Sequence, residues 1–313
     1  MYEIEIGNID KAANKNKKRG VYFLANDYVK DIAIAFLNSF RISNPTTPMC
    51  LIPFDGNSKY ISSLSKKYNF SIYDDVECMS TCDSIAKSFP VGVYGHFRKI
   101  CCWNGPFDEF IYLDCDTVIL KNLNFAFKFL EQFDFVFSHS NRPGLRRWVW
   151  KDTIYRSGEL TLEQIAFSAN TGFICSKRGA LHIEHVKETL SRAIDVSSHI
   201  EFACAEQGYL NYLVVTSGGR YTSLLSLRSQ LGLWDMPLEH WAGGGVFSRH
   251  KDAVHHETDE VLLIHWAGLW QPKRFDRLVF SFMRKMRIKI KCDGVSLFMP
   301  RASIWRRYRF SDV

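Results

Sequence analysis

Phe110-Ile111-Tyr112-Leu113-Asp114-Cys115-Asp116-Thr117-Val118-Ile119-Leu120 sets two carboxylates one residue apart between two apolar runs. Four hydrophobic residues leading into the acids read as a buried parallel strand, and ligands of open α/β sheets bind beyond the carboxyl ends of such strands. Asp114 and Asp116 therefore fall at an edge where chemistry is expected. Carboxylates in this spacing suit a hard divalent cation, Mn²⁺ or Mg²⁺, that keeps coordination positions free for a diphosphate. The plain alternative is a surface turn capped by Asp side chains, which leaves the second run, Val118 to Leu120, unexplained.

Upstream of this stretch the chain has a βαβ rhythm. Val21 to Ala25 reads as a first strand, and Asn26-Asp27 as helix-capping residues. Ile32, Ala35, Phe36 and Phe40 then fall on one helical face. Met49 to Pro53 reads as a second strand, Ser58 to Tyr68 as a helix, and Tyr94 to Trp103 as a helix delivering Arg98 and Lys99 ahead of the acids. Downstream, strands are expected at Phe133–Phe137, Phe173–Cys175 and Val261–Ile264, with helices around Leu181–Ala193 and Glu206–Leu213. The tetrapeptide His-Trp-Ala-Gly occurs at 240–243 and again at 265–268. Only His265 follows an apolar strand in this reading, so His240 is set aside, as is the polar run His255-His256-Glu257.

The 313 residues, 46% of them hydrophobic, suffice for one large α/β domain with appendages. The expected division is a basic leader over 1–20, a catalytic domain over 21–272 and a basic, aromatic tail over 273–313. No window is apolar enough for a signal peptide or a membrane span, which points to the cytoplasm. Nine cysteines without paired ligand spacing suggest free, mostly buried thiols rather than a zinc motif or a disulfide framework. The net charge of +7 is concentrated: residues 273–313 hold twelve Lys and Arg against three acids. Arg284-Lys285-Met286-Arg287-Ile288-Lys289-Ile290-Lys291 and Arg306-Arg307-Tyr308-Arg309, with Phe282, Phe298, Trp305 and Phe310, could lie on an anionic membrane at its inner face. A solvated face or an oligomer contact is the alternative, and nucleic acid is not an expected partner.

Four features in one order, Asp114-X-Asp116, Asn170-Thr171-Gly172-Phe173, Glu206-Gln207-X-X-Leu210-Asn211 and His265-X-X-Gly268 with Pro272-Lys273, resemble glycosyltransferases of the GT-A fold, the retaining family-8-like enzymes in particular. The resemblance spans roughly Val21 to Arg274. It implies a mixed, mostly parallel sheet flanked by helices, and hexose transfer from a UDP-sugar to a glycan or lipid-linked acceptor in surface glycan or glycolipid assembly. Asp114, Asp116 and His265 would be the metal ligands. Ala25, Asn26 and Asp27 would hold the nucleotide, Arg98 and Cys115 would lie along the donor, and Gly268 and Lys273 would meet the diphosphate. Asn170, Glu206 and Gln207 would line the transferred sugar, with Glu206 standing where relatives often carry Asp. Two rivals remain open. One is an inverting enzyme of the same fold with Glu206 or Asp235 as general base; the other is an inactive carbohydrate-binding or scaffold member. A nucleotidyltransferase would want a Gly-rich loop after the first strand, and none follows Ala25.

Overall fold

The computed structural model describes residues 17–142, 144–242, 247–250, 253–256, 259–267, 301–309 and 311. In chain order the strands are β1 (Arg19–Ala25), β2 (Met49–Pro53), β3 (Phe70–Ile72), β4 (Glu109–Asp114), β5 (Thr117–Ile119) and β6 (Phe135–Phe137). They continue with β7 (Phe173–Lys177), β8 (Tyr221–Ser223), β9 (Leu238–Trp241), β10 (Phe247–His250), β11 (Ala253–His256) and β12 (Asp259–His265). Seven of them form a central sheet in the order β3-β2-β1-β4-β7-β6-β8, and a second sheet runs β10-β11-β12-β5, with β9 pairing β12. The central sheet is mixed: β4 is parallel to β1 but antiparallel to β7. This is the mixed sheet expected, with the acid-bearing strand parallel to its neighbour on one side only.

Strand alternation divides the interior. Val21, Phe23, Ala25, Ile111 and Leu113 face one layer, where α1 (Lys30–Ser43) packs. Tyr22, Leu24, Phe110 and Tyr112 face the other, against Trp103, Phe97 and Tyr209. Asp114 has the parity of Phe110 and Tyr112, so its carboxyl emerges on the second layer. Its oxygen accepts from Tyr112 Oη at 2.6 Å, two residues back along the same face.

Two expected helices take other forms. Ser58–Tyr68 divides at Leu64 into α2 (Lys59–Ser63) and α3 (Ser65–Tyr68). The segment before the acids, Gly95–Asn104, is a 3₁₀ helix, so residues three apart share a face. It packs against α4 (Val76–Ala86). After α5 (Leu162–Ala166), α6 (Ile183–Asp195) and α7 (Gln207–Thr216) cover the same layer, and α8 (Leu224–Leu231) follows β8. His240, set aside for lack of a strand, lies in β9; that strand runs beside β12 with His240 opposite Ile264 and Trp241 opposite His265.

The basic tail is partly part of the body. Within the helix Arg301–Arg309, Ile304 and Trp305 are buried with Ala35, Val118 and Trp266. Arg309 pairs with Asp31 at 2.8 Å, and Asn38 Nδ2 donates to the Tyr308 carbonyl. Trp305 was expected at a membrane interface; instead its apolar surface is consumed by the protein's own core. Arg284–Lys291, Phe282, Phe298 and Phe310 lie outside the described residues. Among the described residues no helix is long and apolar enough to cross a membrane.

One buried cation carries the end of α1. Arg41, 9% exposed, donates to the carbonyls of Tyr68 at 2.7 Å, Thr47 at 2.8 Å and Asn69 at 2.8 Å, and more weakly to Asn44. Burial holds its guanidinium below the usual arginine range, yet charged donors satisfy carbonyls of two loops that secondary structure leaves unpaired. Arg41→Met keeps the stem and orphans those carbonyls. It should lower the free energy of unfolding by about 3 kcal/mol, measured by urea titration; a loss below about 1 kcal/mol would show that water replaces the arginine.

Candidate functional site

The carboxyl end of β4 is where the two sheets meet. Thr117 Oγ1 donates to the Asp114 carbonyl at 2.7 Å and closes the Asp114-Cys115-Asp116 turn. The chain then leaves the central sheet as β5 and pairs antiparallel with β12, His265 opposite Thr117. Trp266 N donates to the Asp116 carbonyl at 2.9 Å. Register thus delivers His265 to the acids from 149 positions beyond Asp116 by pairing two short strands.

His265 Nε2 lies 3.1 Å from Asp116 Oδ1 and 3.8 Å from Asp114 Oδ2, and ligand atoms of all three residues lie within 4.8 Å of one another. Asp116 Oδ1 is buried and makes no hydrogen bond of ordinary geometry. Gly172 borders the same space: a Cβ there would sit 2.5 Å from His265 Cε1 and 3.0 Å from Asp114 Oδ2. Two carboxylates, one imidazole, an unsatisfied oxygen and a cradle open only to glycine fit a borderline-hard divalent ion such as Mn²⁺.

The supporting residues fix these three. His265 Nδ1 is 2.7 Å from Glu239 Oε1, so the second ring nitrogen is spoken for and Nε2 must face the acids. Glu239 is wholly buried, with Asn170 Nδ2 donating to it at 2.9 Å and the Ser138 hydroxyl donating to its other oxygen. Burial alone would lower the His265 pKa, but Asp116 and Glu239 outweigh it and hold the imidazole well above its ordinary range. Burial would likewise raise Glu239, and His265 overrides that to hold it low.

Lys99 is the second cation. Its ammonium, 3% exposed, lies 3.0 Å from Asp114 Oδ1 and 2.6 Å from Glu206 Oε1, over the Tyr112 ring. Desolvation pushes its pKa down, and Asp114 and Glu206 more than reverse this. For Asp114, burial raises the pKa while Lys99 and His265 bring it below the usual carboxylate range. Glu206 also accepts from Thr171 Oγ1 at 3.0 Å. Gln207 accepts from Thr171 N at 3.4 Å and donates to the Trp148 carbonyl at 3.1 Å. Asn170 Oδ1 accepts from Gly172 N, which shapes the Asn170-Thr171-Gly172 bend opposite Asp114.

A cleft of about 270 Å³ opens beside the acids, lined by Ala25, Asn26, Tyr28, Phe54, His96, Asp114, Cys115 and Asp116. Ala25 and Asn26 reach it because Leu24 is in register with Asp114. Tyr28 is 74% exposed at its rim. Asp27 turns away and accepts from Tyr60 N and Ile61 N at the start of α2. Arg98 also turns away: both Asp83 oxygens and the Pro53 carbonyl hold its guanidinium, at 2.8, 2.6 and 2.6 Å. His96 and Lys99, three residues apart, face Glu206, while Arg98 and Cys101, also three apart, face α4. Asp235 lines a separate groove with Trp234 and Phe125. Gly268 and Lys273 lie outside the described residues. Lys99, Glu239, Tyr28, Phe54 and His96 were not singled out as site residues from sequence; Glu239 had a usable signal, an acid between Leu238 and His240 in a short segment resembling that of His265.

No family model and no curated protein matches the sequence. Solved structures do match. The glycosyltransferase GlyE of Streptococcus pneumoniae TIGR4 aligns at a TM-score of 0.52 with 14% identity, over 95% of this chain and 61% of that one. The bifunctional glycosyltransferase WbbM aligns at 0.52 with 13% identity, over 84% of this chain and 48% of that one. The galactosyltransferase LgtC, solved with donor and acceptor sugar analogues, aligns at 0.52 with 14% identity, over 84% of this chain and 95% of that one. The chain has the GT-A fold. It spans about half to three fifths of the lengths of GlyE and WbbM.

Removing the Lys99 charge leaves Asp114 and Glu206 without their shared cation. Lys99→Met should cost about 3–5 kcal/mol of stability at neutral pH. Asp114, held low in the folded state, contributes stability above its unfolded pKa and loses it as pH falls through the folded value. The deficit of Lys99→Met against the parent should therefore shrink on acidification, as followed by urea unfolding from neutral pH down to about pH 2, through the lowered folded-state value of Asp114. A pH-independent deficit would mean that packing, not charge, is what Lys99 supplies.

Proposed function

We propose that this chain is a metal-dependent glycosyltransferase that moves a hexose from a UDP-sugar to an acceptor hydroxyl, with retention of configuration as in family-8-like enzymes, in glycan or glycolipid assembly. The observation that carries the reading is the convergence of Asp114, Asp116 and His265 at the mouth of a cleft walled by the end of β1. Those three residues would hold Mn²⁺ or Mg²⁺. When bound, the ion neutralises charge developing on the diphosphate leaving group.

The chain's own groups do the rest in this reading. Asn26 and the exposed ring of Tyr28 hold base and ribose along the cleft, next to Ala25 and Cys115. Gly268 lets backbone approach the diphosphate and Lys273 adds a point charge, roles that rest on the resemblance alone. Asn170 and Gln207 orient the hexose. Glu206, already engaged by Lys99 and Thr171, fixes the floor of the sugar site rather than serving as a free base. Its fixed ionic partner is what disfavours the inverting alternative with Glu206 as general base.

The decisive assay is nucleotide release from UDP- and GDP-sugars with Mn²⁺, Mg²⁺ or chelator. UDP release should require metal and fall at least about 100-fold in Asp116→Asn, which removes a ligand charge. Gly172→Ala should lose about tenfold in Mn²⁺ affinity because its Cβ intrudes on His265 and Asp114. Metal-independent release, or none together with no donor binding by calorimetry, would turn the reading to a non-catalytic carbohydrate-binding member of the fold.

The membrane reading is retained for the segment Arg284–Lys291 only. Replacing Arg284, Lys285, Arg287, Lys289 and Lys291 with Gln should abolish co-sedimentation with phosphatidylserine vesicles and leave UDP release intact. Undiminished co-sedimentation would remove the membrane from the proposal.

A further inference from the structure

Away from this site the fold gathers three thiols that show no ligand spacing in sequence. Cys78 and Cys82 lie one turn apart on one face of α4, and Cys101 comes from the 3₁₀ segment packed on it. Cys101 Sγ is 3.5 Å from Cys78 Sγ and 3.6 Å from Cys82 Sγ, and all three sulfurs lie within 4.8 Å of one another. The residues are 7%, 0% and 0% exposed. Two polar groups border the cluster. Asn104 Nδ2 donates to Cys78 Sγ at 3.4 Å, and the buried Tyr73 hydroxyl, which makes no hydrogen bond of ordinary geometry, has Cys78 and Cys101 as its charged-form neighbours.

We propose that Cys78, Cys82 and Cys101 form a structural site for a thiophilic d¹⁰ cation of the Zn²⁺ class, clamping α4 to the 3₁₀ segment. Spacing favours an ion over a covalent bridge. A Zn–S bond of about 2.3 Å gives a tetrahedral S···S edge of about 3.8 Å, a few tenths beyond the separations seen. A disulfide needs its sulfurs at about 2.05 Å, well inside them. Thiols acting only as small hydrophobes have no use for an amide donor and a buried hydroxyl beside them. On binding, three thiols lose three protons to solvent and bind one divalent ion, leaving the cluster with one negative charge. Arg98, on the 3₁₀ segment and paired with Asp83 of α4, is the cation that faces α4 together with Cys101. The remaining coordination position falls to an oxygen, for which the Tyr73 hydroxyl stands nearby.

The test is expression of the full chain in cobalt-supplemented medium, followed by absorption spectroscopy and metal counting per chain. The expected result is an intense sulfur-to-cobalt charge-transfer band, which carboxylate and imidazole ligands at Asp114, Asp116 and His265 cannot produce. The band should persist in Asp116→Asn and disappear in Cys101→Ala, and zinc should replace cobalt in unsupplemented medium. If Cys101→Ala fails to fold, the parent spectrum and its metal content still decide. No charge-transfer band, a band surviving Cys101→Ala, three reduced metal-free thiols, or a chain mass two hydrogens lower from a disulfide would each overturn the proposal.

Discussion

The turn Asp114-Cys115-Asp116 carries two duties that constrain the rest of the molecule. It ends the strand at the middle of one sheet and starts an edge strand of another. Because β5 is only three residues long, its pairing with β12 cannot slip without losing the contact of Val118 and Ile119 with the core. That register sets His265 beside Asp116, and the antiparallel arrival of β7 sets Gly172 beside His265 and Asp114. A site assembled from residues far apart in sequence is therefore positioned by backbone pairing, not by flexible side chains reaching toward one another.

Such a site gathers negative charge, and charge needs an answer before any ligand arrives. Asp114, Asp116, Glu206 and Glu239 converge on Lys99 and His265. Lys99 and His265 are the fixed cations that make this tolerable, each shared between carboxylates. The two are not equivalent. Lys99 lies beneath, between Asp114 and Glu206, where it braces the floor. His265 lies between Glu239 and the outer acids, so its protonation is tied to whatever cation the outer acids hold. In the proposed reading a divalent ion held there would replace a proton, so that the pocket would be compensated with or without metal.

The fold was largely readable because β1, β2, β4 and β12 are apolar runs that end at recognisable residues: Ala25, Pro53, Asp114 and His265. The Asp114, Asp116 and His265 set came from motif order, and the structure brings those three together. What sequence did not reveal has physical reasons. Lys99 was named with Arg98 as delivered ahead of the acids, but which of the two reaches them depends on the rotation of the segment about its axis, and the structure turns Lys99 to Asp114 and Glu206 and Arg98 to Asp83. Glu239 was hidden because β9 is short and follows Pro237, where turn signals dominate. The thiol cluster was hidden because its third member is contributed by a different element. Trp305 looked like a membrane anchor since composition cannot tell which surface an aromatic ring will cover.

The 3₁₀ segment Gly95–Asn104 connects these observations. Its threefold period gives one face, His96 and Lys99, to the charged floor, and another, Arg98 and Cys101, to α4. 3₁₀ geometry is poorer than α-helical geometry in its own hydrogen bonds and rarely persists over ten residues unless its surroundings hold it. Here both faces are held, one by Glu206 and Asp114, the other by Asp83 and the thiols on α4. Lys99 and Cys101 sit on one short segment, so turning that segment about its axis would move Lys99 from Asp114 and Cys101 from Cys82 together. The contacts on α4 therefore keep Lys99 in place although none of them touches it, and the precision of the acid site depends on packing more than one element away.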